Sequence, residues 1–363
     1  AAPDKLEAEG GVLGGNAKTQ TDSLASGTQY IAFGINQTPT PTPTTQVSVG
    51  TGGNYKPNFV NVTGGGSMPS LTGAISASSY GAKGDGTTDD TQALQNAANA
   101  AAAVGKPLII PYTSAFYKIT YPITINSSVI GTSGMPTIKQ TNNRHDWYGP
   151  ILVIANNTTG WIYNLHLVGQ YNGEYFNYRS NPPTYPNAVY PDNEGAAGIR
   201  LGGVNGLTIK GNLFENPWGD GIYDGSTSVS YPARNVLIDN NTFINAMRCA
   251  IALTGQDNGW AIFNNKIIHH SFYVNPIDFE PNAETTPGEN YITNVELGYN
   301  NYQITSPYAV NELTNWFDPT PGGNIWIHDN YGSWIGEFVH QVGYKGAPSA
   351  WFNVNISNNN KTL

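Results

Sequence analysis

The sequence predicts an all-β solenoid: a chain wound into stacked rungs of short strands, preceded by one short helix. Three observations carry this prediction. An apolar residue followed three positions later by Asn recurs six times in order. Charged residues are too scarce for long helices or coiled coils. An alanine-rich run behind a Gly/Asp turn supplies the single helix.

The repeat occurs at Ile209…Asn212, Ile238…Asn241, Ile262…Asn265, Leu297…Asn300, Ile327…Asn330 and Ile356…Asn359, at intervals of 29, 24, 35, 30 and 29 residues. Periods of about 20–50 residues mark solenoids. Asn tolerates left-handed backbone at a corner. Its copies are expected to stack in a ladder at the rung spacing of about 4.8 Å. Residues 70–363 therefore read as one solenoid with long loops between strands.

Composition agrees. The 363 residues include 16 Lys+Arg and 25 Asp+Glu, 11% charged, against about 25% in an average domain. The 43 Asn outnumber them all. Hydrophobic residues at 39%, with 12% aromatic, suffice for a core, which argues against disorder. A pI near 5.0 and the scarcity of basic residues exclude nucleic acid as the expected partner. No apolar run approaches the ~18 residues of a membrane span. The single Cys249 cannot form an intramolecular disulfide. The opening Ala1-Ala2-Pro3 reads as an end left by signal cleavage, so a secreted, extracellular protein is expected.

Taken from the N-terminus, residues 1–37 are too few to fold alone without staples. Leu6-Glu7-Ala8-Glu9-Gly10-Gly11 and Ser26-Gly27-Thr28-Gln29-Tyr30-Ile31-Ala32-Phe33-Gly34 resemble the opening strands of a carbohydrate-binding β-sandwich module. The resemblance covers only those strands, so residues 1–37 read as an arm or a module remnant. The Thr/Pro run at 38–45 is an extended polyproline-type linker, and 46–69 is a connecting segment. Then come Gly84-Asp85-Gly86 and Asp89-Asp90. Asp89 or Asp90 is expected to cap a helix over 91–103. Gly105 stops the helix, and Leu108-Ile109-Ile110-Pro111 reads as a buried strand. The stretch Ser79–Ala97 resembles the capping segment of the pectin-lyase-like superfamily. That resemblance implies a right-handed parallel β-helix whose cap helix covers the open end of the core. It leaves the activity open among lyases, hydrolases, epimerases and tailspikes.

Candidate chemistry comes from aligning strands on their inward Ile. These are Gly219-Asp220-Gly221-Ile222-Tyr223-Asp224, Arg248-Cys249-Ala250-Ile251 and Asn275-Pro276-Ile277-Asp278-Phe279-Glu280. Strand side chains alternate, so Asp278 and Glu280 point outward together, and Arg248 lies on the rung between them and Asp220. Asp220, Asp278 and Glu280 are the catalytic candidates. Asp220 and Asp278 stand two rungs, about 9.6 Å, apart, at the upper edge of the separation for an inverting acid/base pair. A retaining pair needs neighbouring rungs, or Asp278 with Glu280. Asp220-Gly221 and Asp224-Gly225 are also ordinary turn dipeptides, and Arg248 could simply neutralise charge. Gly219-Asp220-Gly221-Ile222 resembles the Asp-Gly-Ile motif of polygalacturonases, but their paired Asp-Asp and their His-Gly are replaced here by Arg248-Cys249 and Asn275-Pro276. Ile277–Asn282 resembles a motif of bacterial β-helix proteins without naming a reaction.

Arg248, Asp224, Trp218, Tyr175 and Tyr178 are the substrate-binding candidates. The aromatic loop over 171–191 suits stacking on sugar faces, or else packs on its own scaffold. Asp192 and Glu194 are reserve acids, and Glu312, Glu337 and His340 extend the row. No metal signature is evident, and no cofactor is implied. His269 and His270 are adjacent, so on a strand they face opposite sides. The expected function is a glycoside hydrolase acting on an extracellular polysaccharide, neutral or weakly charged. A polysaccharide lyase is the second reading, with Lys210, Arg248 and Lys266 as its cationic candidates. A non-enzymatic glycan-binding or tailspike-like protein, a trimer in that case, is the third.

Overall fold

The computed structural model describes residues 17–21, 29–33, 62–141, 149–171, 196–225, 232–269, 275–281, 292–305, 309–314, 322–342 and 351–362. Residues 1–52 and 53–363 form two compact units. Within the first, strands Ala17–Thr21 and Gln29–Phe33 pair antiparallel, with Ala17 opposite Phe33.

Among the described residues, the second unit carries three all-parallel sheets of ten, nine and eight strands. From Leu108–Ile110 onward each strand pairs with the strand three places on in the chain, so every turn adds one strand to each sheet. This is the parallel β-helix. Most of its strands are three to seven residues long. Apolar residues at alternate positions point inward and stack in columns. In the eight-stranded sheet one column runs Ile199, Ile222, Ile251, Ile277. All four are fully buried. Phe214 and Phe243 stack on successive rungs with centroids 4.7 Å apart and planes within 7°.

The Asn ladder forms as expected. Asn241 Oδ1 accepts from the backbone N–H and the Nδ2 of Asn212, at 3.0 Å each. Asn265, Asn300, Asn330 and Asn359 repeat the arrangement down the stack. Each Nδ2 also donates to an apolar residue's carbonyl, such as Ile209 for Asn241 and Ile238 for Asn265. The expected left-handed corner is displaced by one residue. Positive φ belongs to Gly211, Asn240, Asn264, Tyr299, Asp329 and Asn358, each immediately before a ladder Asn. The bend and the ladder are thus assigned to neighbouring residues. A second, outer ladder links Asn258, Asn294, Asn324 and Asn353 through their side-chain amides.

The helix spans Thr91–Ala103 and buries Leu94, Ala97, Ala98 and Ala101 over the end of the core. Asp89 accepts from the Thr91 amide at 3.0 Å. Asp90, in contrast, turns back to accept from the Lys83 and Gly84 amides at 2.7 and 3.0 Å. Exposed strand edges invite unwanted pairing, and here the helix covers one. Gln95 exchanges two hydrogen bonds with the Thr124 backbone, 3.1 and 2.9 Å, on the first strand of the eight-stranded sheet.

Candidate active site

The outer face of the eight-stranded sheet gathers the chemistry. One outward column runs Arg200, Tyr223, Ala252, Asp278, Glu312 and His340, each the Cα partner of the next. Asp278 lies between the core residues Ile277 and Phe279 and points away from them. Its neighbours on the outer face are Tyr223, Cys249 and Ala252, which pack together with Ala197.

Asp220 sits two residues before the Ile222–Asp224 strand and is fully buried. Its Oδ1 accepts from the Cys249 amide at 2.8 Å and lies 3.5 Å from Arg248 Nε. The adjacent Gly221 is required by close approach: a Cβ there would stand 2.5 Å from the Ala250 carbonyl oxygen and 2.6 Å from the Phe243 ring. Asp220 is therefore held rigidly, tying two rungs together.

Asp278 is 7% exposed, and its Oδ1 has no hydrogen-bond partner. Burial raises its carboxyl well above the usual carboxylate range. The charges of Glu280 and Glu312 push it further, while Arg248 works against them. Burial of this kind favours the protonated carboxyl over the ionised one. Burial, then Asp220 and Asp278, likewise raise the Cys249 thiol, so it is not a thiolate nucleophile. Glu280 and Glu312 are half-buried, and Asn275 Nδ2 donates to Glu312 Oε2. Glu337 Oε2 meets His340 Nδ1 at 2.9 Å.

The structure thus brings Asp220, Arg248, Asp278 and Glu280 together, as the strand alignment proposed, and adds Glu312 and Asn275. Glu312 was legible only as a carboxylate on a later rung. Its register opposite Asp278 depends on the length of the loop before it. Two expectations need correction. Asp224 is not a substrate contact: it shares the parity of Ile222, points inward and is fully buried in the column of Leu201 and Leu253. Beside it lies Asp257, also fully buried, whose carboxyl is raised by burial and by the charge of Asp224. Trp218, 8% exposed, packs against Ala196 and Met247 and meets Tyr171 edge-on at 6.0 Å, so its ring is covered rather than open to a sugar. Asp220, the other member of the expected two-rung pair, is fully buried. Tyr175, Tyr178, Asp192, Glu194 and His270 lie outside the described residues. Among the described residues no group of three or more His, Cys, Asp or Glu could hold a metal ion.

A family model described as rhamnogalacturonase A/epimerase, pectate lyase-like, matches residues 74–300. No curated protein matches the chain. Among solved structures, the chain is similar to ORF18 of Geobacillus virus E2 at 17% identity and a TM-score of 0.40. The alignment covers 79% of this chain and 62% of the viral one. An ι-carrageenase complexed to ι-carrageenan fragments aligns at 17% identity and a TM-score of 0.42, over 71% of this chain and 54% of the other. The A-module of the Azotobacter vinelandii mannuronan C-5 epimerase AlgE4 aligns at 14% identity and a TM-score of 0.35, over 79% and 97%. The chain spans less than two thirds of the length of the first two.

Proposed function

Because the chain belongs to the rhamnogalacturonase A/epimerase, pectate lyase-like family, we propose that it is a secreted glycoside hydrolase that cleaves a polysaccharide at the carboxylate cluster around Asp278. The observation that carries this reading is Asp278 itself: a nearly buried carboxyl, raised in pKa, with one oxygen unpartnered, on a face that also bears half-buried carboxylates. Glycoside hydrolysis needs one protonated carboxyl to protonate the leaving oxygen. It needs a second, ionised one to activate water or attack the sugar. Asp278 is the proton donor. The second carboxylate is Glu280, two residues along the chain, or Glu312 on the next rung. Asp220 and Arg248 hold the rung beneath and set the field around the acid.

The test is a polysaccharide panel scored for new reducing ends and for ultraviolet-absorbing unsaturated ends. The expected products are reducing ends without unsaturation. Asp278→Asn is expected to lower kcat by about 10²–10⁴-fold, the usual worth of general acid catalysis. Of Glu280→Gln and Glu312→Gln, one is expected to fall as far. Wild-type activity should decline as pH rises through the raised value of Asp278, because the protonated form is the active one. Unsaturated ends would favour the lyase reading. Full activity in Asp278→Asn would sink the site.

A further inference from the structure

Charge is distributed unevenly about Asp278. Residues 267–344 contain nine carboxylates and no Lys or Arg. Four of the nine, Asp278, Glu280, Glu312 and Glu337, lie on or beside the last rungs of the eight-stranded sheet. The cations of this face lie on earlier rungs: Arg200, exposed, at the head of the outward column, and Arg248 beside Asp220. His340 is the basic residue within the acidic stretch of the column, and its Nδ1 is already engaged by Glu337. Glu296 and Asp329, also among the nine, bracket His328 on the ten-stranded sheet and do not offset the four.

We propose that this site takes a glycan whose sugars carry no anionic group on the side of the rungs after Asp278, and that polyuronates and sulfated glycans are rejected there by like charge. The inference rests on the hydrolase reading for its location and names the substrate class. A bond cut beside Asp278 has sugars on both sides. One side therefore crosses rungs that offer carboxylates and, within residues 267–344, neither Lys nor Arg. A carboxylate or sulfate on those sugars would be desolvated next to like charge. An uncharged sugar uses the same carboxylates as hydrogen-bond acceptors for its hydroxyls. The earlier rungs, with Arg200 and Arg248, are neutral to this rule, so the selection is one-sided.

The experiment uses the full chain and matched polymer pairs: polyuronates and sulfated glycans, each beside its carboxyl-reduced or desulfated form. Binding is read by affinity electrophoresis and turnover by reducing ends. Binding and turnover are expected to favour the uncharged member at least about tenfold at low salt. The gap should close as salt shortens the screening length from about 10 Å at 0.1 M to about 3 Å at 1 M. Glu337→Lys should narrow it by improving the anionic member. Preference for the anionic member, a gap indifferent to salt, or no affinity for any uncharged glycan overturns the inference. Salt-sensitive preferential binding without hydrolysis of either member would uphold the charge rule while refuting the hydrolase reading.

Discussion

At the scale of single residues, this protein places ionisable groups where water is absent and makes each carry a distinct consequence. His328 is 1% exposed. Its Nε2 lies 3.0 Å from buried Glu296 and its Nδ1 2.8 Å from Asp329, with Trp326 against its ring at 4.1 Å. Burial alone would lower its pKa, but the hydrogen bonds it donates to the two carboxylates raise it overall. The sign follows. A histidine whose folded value exceeds its unfolded value of 6.5 stabilises fully below that pH. It loses the contribution as pH climbs through the higher folded value. His328→Gln removes the cation from a buried carboxylate and is expected to cost roughly 3 kcal/mol at pH 6, with the deficit shrinking in alkaline buffer. Urea melts at two pH values check both parts. The residue scale also shows what sequence could disclose. Alternation from Ile277 placed Asp278 outward, and the structure agrees. The same alternation from Ile222 puts Asp224 inward, but its Asp-Gly context reads as a turn, and turn chemistry masked the parity. Trp218 was misjudged for another reason: its cover comes from Tyr171 and Met247, residues distant in sequence.

At the scale of elements, the unit of stability is the rung-to-rung hydrogen bond, not the individual strand. Strands of three residues have little independent stability. Side-chain amides of successive Asn extend the backbone ladder into the corner and remain fully buried or nearly so from Asn212 to Asn330. Asn265→Ala removes the acceptor that serves both the Asn241 backbone N–H and its Nδ2. It also removes a donor to the Ile238 carbonyl. Since buried polar groups left unpaired cost about 1–3 kcal/mol each, a loss of roughly 3 kcal/mol is expected. Asn360→Ala, an exposed position, is expected to change little; thermal melts of the pair test this. The repeat was readable because each rung needs the same amide at the same place. The one-residue offset between ladder and bend was not, because Asn abounds at both positions. Asn240-Asn241, Asn264-Asn265 and Asn358-Asn359 are doublets in which sequence cannot tell one partner from the other.

At the scale of the whole molecule, the stack behaves as a one-dimensional array in which each rung depends on its neighbours, so the cost of ionising a buried carboxyl is felt beyond its own rung. Asp257 is such a carboxyl. Its raised carboxyl binds its proton more tightly folded than unfolded, so its contribution is greatest at low pH and is lost as pH rises through the raised value. Asp257→Asn, which keeps the group uncharged, is expected to raise Tm at pH 8 while changing it little at pH 4. A Tm gain at pH 4 equal to that at pH 8 would contradict the assignment. Finally, the intervals between ladder residues vary from 24 to 35, yet the hydrogen bonds joining them stay within 2.9–3.0 Å. Length is thus absorbed entirely outside the corner. The scaffold is a ruler whose marks are fixed, so a segment of different length between two ladder residues is accommodated without moving the corner.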